Sequence, residues 1–227
     1  MIDLHYWPTP NGWKISIALE EMGLAYEAVP LNLGRGEQFA PDFLAISPNN
    51  RMPAIVDHDP VGGGDPLAVF ESGAILLYLA EKTGAFLPAD AAGRYDAIQW
   101  LMWQMGGLGP MLGQHGHFKL YATEKISYAI ERYRNEAERL YGVLDKRLAG
   151  REHICGAYSI ADMACWPWVL TYKSQGIDLS AFPDVRRWYD ALKQRPALRR
   201  GYALGRDWNA EAPDARAREI LFGQKPS

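Results

Sequence analysis

Pro53 stands directly before the apolar run Ala54-Ile55-Val56, and proline has no N–H to give to a sheet ladder. The run therefore reads as a strand with the proline at its first residue or on a sheet edge. Behind it lies the approach Ser47-Pro48-Asn49-Asn50-Arg51-Met52. Ahead of it the turn Asp59-Pro60-Val61-Gly62-Gly63-Gly64-Asp65-Pro66 leads into a second apolar run, Leu67-Ala68-Val69-Phe70. Two such runs joined by that turn chemistry read as a hairpin. Glu71-Ser72 then opens Ala74-Ile75-Leu76-Leu77-Tyr78-Leu79-Ala80, an apolar stretch of helical character that closes at Gly84.

Three devices in this stretch suit one kind of ligand. An X-Pro bond is trans by default, with cis in roughly 5–6% of folded cases. A cis Met52-Pro53 bond would turn the N–H and C=O of Met52 outward to a peptide-like partner. Ser72, at a helix start, offers free N–H groups and the positive end of the helix dipole, which suit a carboxylate. Glu71 beside it suits an ammonium group. A ligand with a peptide-like backbone, an α-carboxylate and an α-amine engages all three.

Upstream, Ile2-Asp3-Leu4-His5-Tyr6 reads as a strand and Lys14 to Met22, stopped by Gly23, as a helix. Tyr26-Glu27-Ala28-Val29-Pro30-Leu31 reads as a second strand and 41–46 as a short helix begun by Pro41. The order is βαβ followed by ββα. Residues 85–93 carry no strong period and read as a linker, giving expected domains of 1–84 and 94–227. With 227 residues, both can bury a core. Beyond the linker, Tyr95 to Trp103 and Tyr128 to Leu148 read as helices flanking a loop with Gly106-Gly107-Leu108-Gly109-Pro110. Ser159-Ile160-Ala161-Asp162 has N-cap spacing ahead of a helix from Met163 to Tyr172. Pro183 to Gln194 and Pro196 to Leu204 read as two more helices, and the tail Gly205 to Ser227 is expected to be ordered only by docking.

At Pro53 and Glu71-Ser72 the chain resembles the cytosolic glutathione transferase superfamily. Tyr6-Trp7-Pro8-Thr9-Pro10-Asn11-Gly12-Trp13-Lys14, Ser47-Pro48-Asn49-Asn50, the Gly106 to Pro110 block and Tyr128-Ala129-Ile130-Glu131-Arg132-Tyr133 are similar to its Nu-class branch. That branch comprises bacterial glutathione-dependent disulfide-bond oxidoreductases, similar in fold to the yeast prion-regulator type. The resemblance runs over roughly residues 1–204. It implies an α/β N-terminal thioredoxin-like domain (βαβ-ββα) followed by an all-α helical domain, with sheet order and handedness taken from the family.

The same resemblance assigns the site. Thr9 and Asn11 would be catalytic, their hydroxyl and amide beside the glutathione sulfur near the start of the first helix, with Asn11 also binding. Gln38 would bind the glycyl end, and Arg51, where the branch often carries lysine, would offer a cation to a carboxylate. Met52 and Pro53 would supply the backbone pair, Glu71 and Ser72 would hold the γ-glutamyl head, and Arg132 would reach a glutathione carboxylate from the long helix. A homodimer is implied, along the helices Ser72 to Thr83 and Tyr95 to Trp103.

A thiol reacts as the thiolate, and a free thiol has a pKa near 8.5, so the site gains by placing a donor or a helix dipole beside the sulfur. Thr9 is the donor expected here. Tyr6 is its rival, because a phenol is the commoner sulfur donor. The chain's two cysteines, Cys155 and Cys165, form no CxxC and read as small buried or loop residues. The ligand then carries the redox chemistry: with two glutathiones bound, one thiolate attacks a small or mixed disulfide and the second resolves the product. Two alternatives remain. Conjugation to hydrophobic electrophiles would use a pocket walled by residues such as Trp100, Trp103, Trp166, Trp168 and Tyr172. A non-enzymatic glutathione-binding regulator would resemble the fungal relatives, whose long polar extension is missing before the first strand here.

Other classes are argued against. Gln114-His115-Gly116-His117 offers too few ligands for a closed zinc site, so no metal is expected. A net charge of −3 without a basic stripe excludes nucleic acid as a partner. Apolar runs such as 74–80 fall far short of the ~20 residues that span a bilayer. The opening residues lack the n- and h-regions of a signal peptide, so the expected compartment is a reducing cytoplasm.

Overall fold

A computed structural model describes residues 1–208 and 214–223. The chain forms two compact units, one comprising Met1–Thr83 with the segment from Pro196 onward, the other Gly84–Arg195.

The first unit is built on a four-stranded mixed sheet ordered β2-β1-β3-β4. In β1 (Ile2–Tyr6) the alternate residues Ile2, Leu4 and Tyr6 are buried, as a period of two requires of a strand lying on a core. β2 (Tyr26–Pro30) runs parallel to β1, reached through α1 (Pro10–Met22), which starts on Pro10 and stops at Gly23 in the left-handed conformation. After α2 (Pro41–Ile46), β3 (Ala54–Asp57) pairs antiparallel with β1, and β4 (Leu67–Phe70) pairs antiparallel with β3 to complete the expected hairpin. α3 (Ser72–Thr83) buries Ile75, Leu76, Leu79 and Ala80 and packs on α1.

A buried ion pair ties α3 to the sheet. The Asp57 carboxylate, at the end of β3, accepts from the Tyr78 hydroxyl at 2.6 Å, the Lys82 ammonium at 2.8 Å and the Asp59 N–H at 3.0 Å. Burial alone would raise the Asp57 carboxyl, but the bonds from Lys82, Tyr78 and the Asp59 N–H together hold it below the ordinary carboxylate value.

α10 (Pro196–Ala203), expected as part of the helical domain, packs with the first unit instead, against α1. The reason is Gly201: its C=O accepts from Ser16 Oγ at 2.8 Å, and a Cβ there would lie 2.6 Å from the backbone of Ile17. Only a residue without a side chain lets the helices approach so closely. The expectation for the tail falls partly on 209–213 and 224–227, which lie outside the described residues; between them α11 (Ala215–Phe222) packs on the turn Leu33–Arg35.

The second unit is helical. α4 (Ala91–Trp103) starts inside the expected linker because the Asp90 carboxylate caps the Gly93 N–H at 2.8 Å. The expected loop at Gly106–Pro110 is instead helical: a wide turn at 104–108 runs into α5 (Gly109–Gly116) and a second at 117–121. Gly109 serves close packing, since a Cβ there would meet the Trp168 indole at 3.2 Å. α6 (Ser127–Leu148) is the long amphipathic helix, and α7 (Ile160–Val169) opens on the Ser159/Asp162 capping box. The Asp162 carboxylate, fully buried, also accepts from Ile154 N–H at 3.0 Å and Trp188 Nε1 at 2.8 Å. α7 ends earlier than its pattern suggests, because the Thr171 hydroxyl bonds back to the Trp168 C=O; α8 (Tyr172–Gln175) and α9 (Pro183–Leu192) follow. Among the described residues no helix is long and apolar enough to cross a membrane.

Two outcomes follow from these packings. Gly201→Val forces α10 off α1 and lowers stability by at least about 2 kcal/mol, read from urea unfolding. The Asp57 carboxylate's folded pKa lies below its unfolded value of about 3.9, so its contribution is complete above that pH and is lost as pH falls through the folded pKa. Asp57→Asn is therefore less stable than the unmutated protein at pH 7, and the gap narrows below about pH 4 in thermal melts.

Candidate functional site

One row of the sheet sets the site. Ala54 pairs with His5 of β1 and with Phe70 of β4. Because β3 runs antiparallel to both, the end of β1, the start of β3 and the end of β4 share one edge of the sheet. The segments attached there are Trp7 to Thr9, Arg51-Met52-Pro53 and Glu71-Ser72, the three the sequence singles out.

Thr9 occupies the N-cap of α1 in extended conformation, yet its side chain makes no capping bond. Its hydroxyl instead faces the Met52 thioether, with Oγ1 3.8 Å from Sδ. Sulfur of that kind is a weak acceptor, so the hydroxyl is not committed to a strong partner inside the protein. Thr9 and Met52 are thus brought together across 43 residues. Asn11 lies half-buried in the first turn of α1.

The Met52-Pro53 bond is cis. Among the described residues neither the N–H nor the C=O of Met52 is engaged in a hydrogen bond. The approach is fixed by the Ser47 hydroxyl, which donates to the Arg51 C=O at 2.8 Å, while exposed Arg51 reaches Asn50 Oδ1 at 2.7 Å. Glu71, exposed between β4 and α3, has φ +70°. A side-chain-bearing residue there costs about 1–2 kcal/mol, the sort of strain found at ligand clamps. The conformation lets the Glu71 C=O begin the helix, accepting from Ile75 N–H at 2.9 Å, and leaves Ser72, 6% exposed, in the first turn.

Tyr6 is excluded as the sulfur donor. Its ring is fully buried, its hydroxyl donates to the Leu204 C=O at 3.1 Å, and burial first of all pushes its pKa well above the ordinary phenol value. Gln38 is 2% exposed, with its Oε1 buried and without a partner. In the same unit α11 sets Ala217 against Gly34 and Ile220 against Gly36. Arg132 stands exposed on α6 of the second unit.

Sequence reasoning missed Lys14. On α1 among buried Ile15, Ile17 and Ala18, it is itself 2% exposed, and its Nζ lies 3.3 Å from Ser72 Oγ. The signal was present: a cation near a helix N-terminus opposes the dipole and needs a reason.

Neither Cys155 nor Cys165 is in a disulfide. Cys165 is fully buried, and burial above all pushes the half-buried Cys155 thiol up to about 11, so it is protonated at neutral pH. His115 is buried with Nε2 2.8 Å from the Gln175 C=O. Among the described residues no three metal-ligating side chains come together.

Residues 2–81 match the family described as Glutathione S-transferase, N-terminal domain. The chain is 57% identical over 205 residues to the disulfide-bond oxidoreductase YfcG of Escherichia coli, across 90% of this chain and 94% of that protein. It superimposes at a TM-score of 0.84 on a glutathione transferase family member from Pseudomonas fluorescens with two glutathione bound, at 49% identity over 88% of this chain and 92% of that one. The same score relates it to a glutathione transferase from Pseudomonas putida with one glutathione disulfide bound per subunit, at 45% identity over 89% and 91%.

The Tyr6 hydroxyl serves packing, so Tyr6→Phe costs about 1 kcal/mol in chemical denaturation. Its affinity for thiol ligands by calorimetry stays within about twofold of the unmutated protein, where loss of a charge-assisted bond to sulfur would cost tenfold or more.

Proposed function

Because this chain belongs to the glutathione S-transferase superfamily, we propose that its three loops form one tripeptide site and that it is a glutathione-dependent disulfide-bond reductase. The observation that carries this reading is the Thr9 hydroxyl, spared from capping and turned toward Met52 beside a cis-prolyl bond. Met52 then gives its N–H and C=O to the cysteinyl part of glutathione. The first turn of α3 takes the γ-glutamyl carboxylate and Glu71 its ammonium. Thr9, Asn11 and the N-terminus of α1 lie at the thiol, where a donor and a positive dipole end favour the thiolate. Arg51 and Gln38 complete the proposed contacts to the remaining carboxylate and glycyl groups.

The reaction needs two glutathiones. One thiolate attacks a sulfur of the disulfide RSSR, forming GSSR and releasing RS⁻; the second attacks the glutathione sulfur of GSSR, forming GSSG and a second RS⁻. The substrate gains two electrons and the two glutathiones lose them, with both RS⁻ taking up protons from solvent. Neither protein cysteine takes part, in keeping with a buried Cys165 and a protonated Cys155. The Pseudomonas neighbours, holding two glutathiones or one glutathione disulfide, resemble the start and end of this sequence. Within the same proposal the protein is a Nu-class homodimer of a reducing cytoplasm. Tyr95 at 69% and Met102 at 48% exposure on α4 are the large apolar side chains that a partner subunit would cover.

A hydroxyalkyl disulfide assayed with glutathione tests the reading. The unmutated protein turns it over with consumption of two glutathiones per disulfide, and Thr9→Ala lowers kcat/KM about 10–100-fold with the pH–rate profile displaced upward. Absence of turnover refutes the activity, and a fully active Thr9→Ala refutes the role of Thr9.

A further inference from the structure

We propose that the Met52 thioether is an oxidation site that controls the Thr9 hydroxyl: sulfoxide formed there by a peroxide captures the hydroxyl and silences the thiol site. This rests on the glutathione reading above and adds a modification to it.

Met52 stands between two environments. On one side it packs against the apolar cluster of Leu31, Phe43 and Ala54. On the other its Sδ lies 3.8 Å from Thr9 Oγ1, and both residues are half-buried, so the contact sits at the margin of the core. Among the described residues this is the one hydrogen bond that the Thr9 hydroxyl makes. A thioether is a weak acceptor, which leaves the hydroxyl available to a ligand sulfur.

Oxidation reverses that ranking. A peroxide transfers one oxygen atom to Sδ: its O–O bond breaks, an S=O bond forms, the sulfur loses two electrons and hydrogen peroxide departs as water. The new oxygen is polar. Turned against Leu31 and Phe43 it would lose hydration without meeting a side-chain donor, whereas the Thr9 hydroxyl already faces the sulfur. A hydroxyl has a single hydrogen to give. Once it is held by the sulfoxide, it no longer stabilises a thiolate. The lesion is of the kind that methionine sulfoxide reductases reverse.

The cysteines are poorly suited to the same response. Peroxides attack thiolates, but Cys155 stays a thiol, its pKa pushed up to about 11, and Cys165 is fully buried. Met102, 48% exposed on α4, takes the same reagent and serves as the internal standard for access.

The test uses the full chain, treated with hydrogen peroxide in the absence of glutathione, cleared of peroxide, then assayed with glutathione and the hydroxyalkyl disulfide. Peptide mass mapping reads the oxygen added at each methionine. Activity falls in step with the fraction of Met52 oxidised, to a kcat/KM about 10–100-fold lower at completion, as for Thr9→Ala. Met52→Leu, treated alike, keeps its own starting kcat/KM within about twofold, because leucine has no sulfur to oxidise. Thr9→Ala loses less than about twofold further when its Met52 is oxidised, because both changes act on one interaction. Full activity with Met52 oxidised overturns the proposal, as does an equal loss in Met52→Leu. A further loss of about tenfold in Thr9→Ala marks damage to packing and overturns it too, and so does a Met52 that stays unoxidised while Met102 is converted. If the untreated protein does not turn over the disulfide, the glutathione reading itself fails and takes this proposal with it. If it does, and survives oxidation of Met52, only this proposal falls. Should Met52→Leu not fold, the unmutated chain and Thr9→Ala decide between the same outcomes.

Discussion

The site depends on a single pairing decision, that the third strand begins at Ala54 and no earlier. Pro53 has no N–H to give to the ladder, and Ala54 pairs with His5 on one side and Phe70 on the other. A one-residue slip would turn every side chain of the strand to the opposite face, and since Ala54 and Ile55 are both fully buried, each would meet a space shaped for a side chain of another size. The register is thereby locked, and with it the convergence of three loops that are distant in sequence. Backbone groups positioned in this way give recognition that depends little on side-chain identity and much on sheet geometry.

Electrostatics divides labour around that edge. The starts of α1 and α3 both present positive dipole ends, and Lys14 adds a full charge between them. Tyr6, the obvious phenol, is removed from the chemistry by burial and by its bond to Leu204. What remains at the start of α1 is a modest hydroxyl, Thr9. A hydroxyl and a helix end stabilise a thiolate without forming a covalent bond to it, which suits a protein whose proposed redox partners are both ligands.

Much of this was legible in the sequence, for local reasons. The first unit's strands and helices follow from apolar period and from prolines and glycines at their ends, so α3 at Ser72–Thr83 and the hairpin at 54–70 appear where the pattern places them. The residues Thr9, Met52, Glu71 and Ser72 stand at element ends, and that too is local information. What pattern could not give was long-range contact. Gly106 to Pro110 read as a loop because glycine breaks an apolar period, whereas Gly109 is small in order to admit Trp168. α10 was placed with the wrong unit because its partner surface on α1 lies 185 residues away. The burial of Gln38 and Lys14 was not legible for the same reason: polarity suggests a surface, and only tertiary packing reveals that both are enclosed.

The docking of α10 on α1 bears on how the chain is made. A ribosome delivers the whole sheet and its first helices before the helical unit, but the partner that covers the Ser16–Ile17 face of α1 comes from residues translated after that unit. Throughout synthesis of the intervening helical unit, the nascent strand-bearing unit carries an open apolar seam, the kind of surface that chaperones recognise. Its closure awaits one glycine, and so a unit translated ahead of the helical one is finished after it.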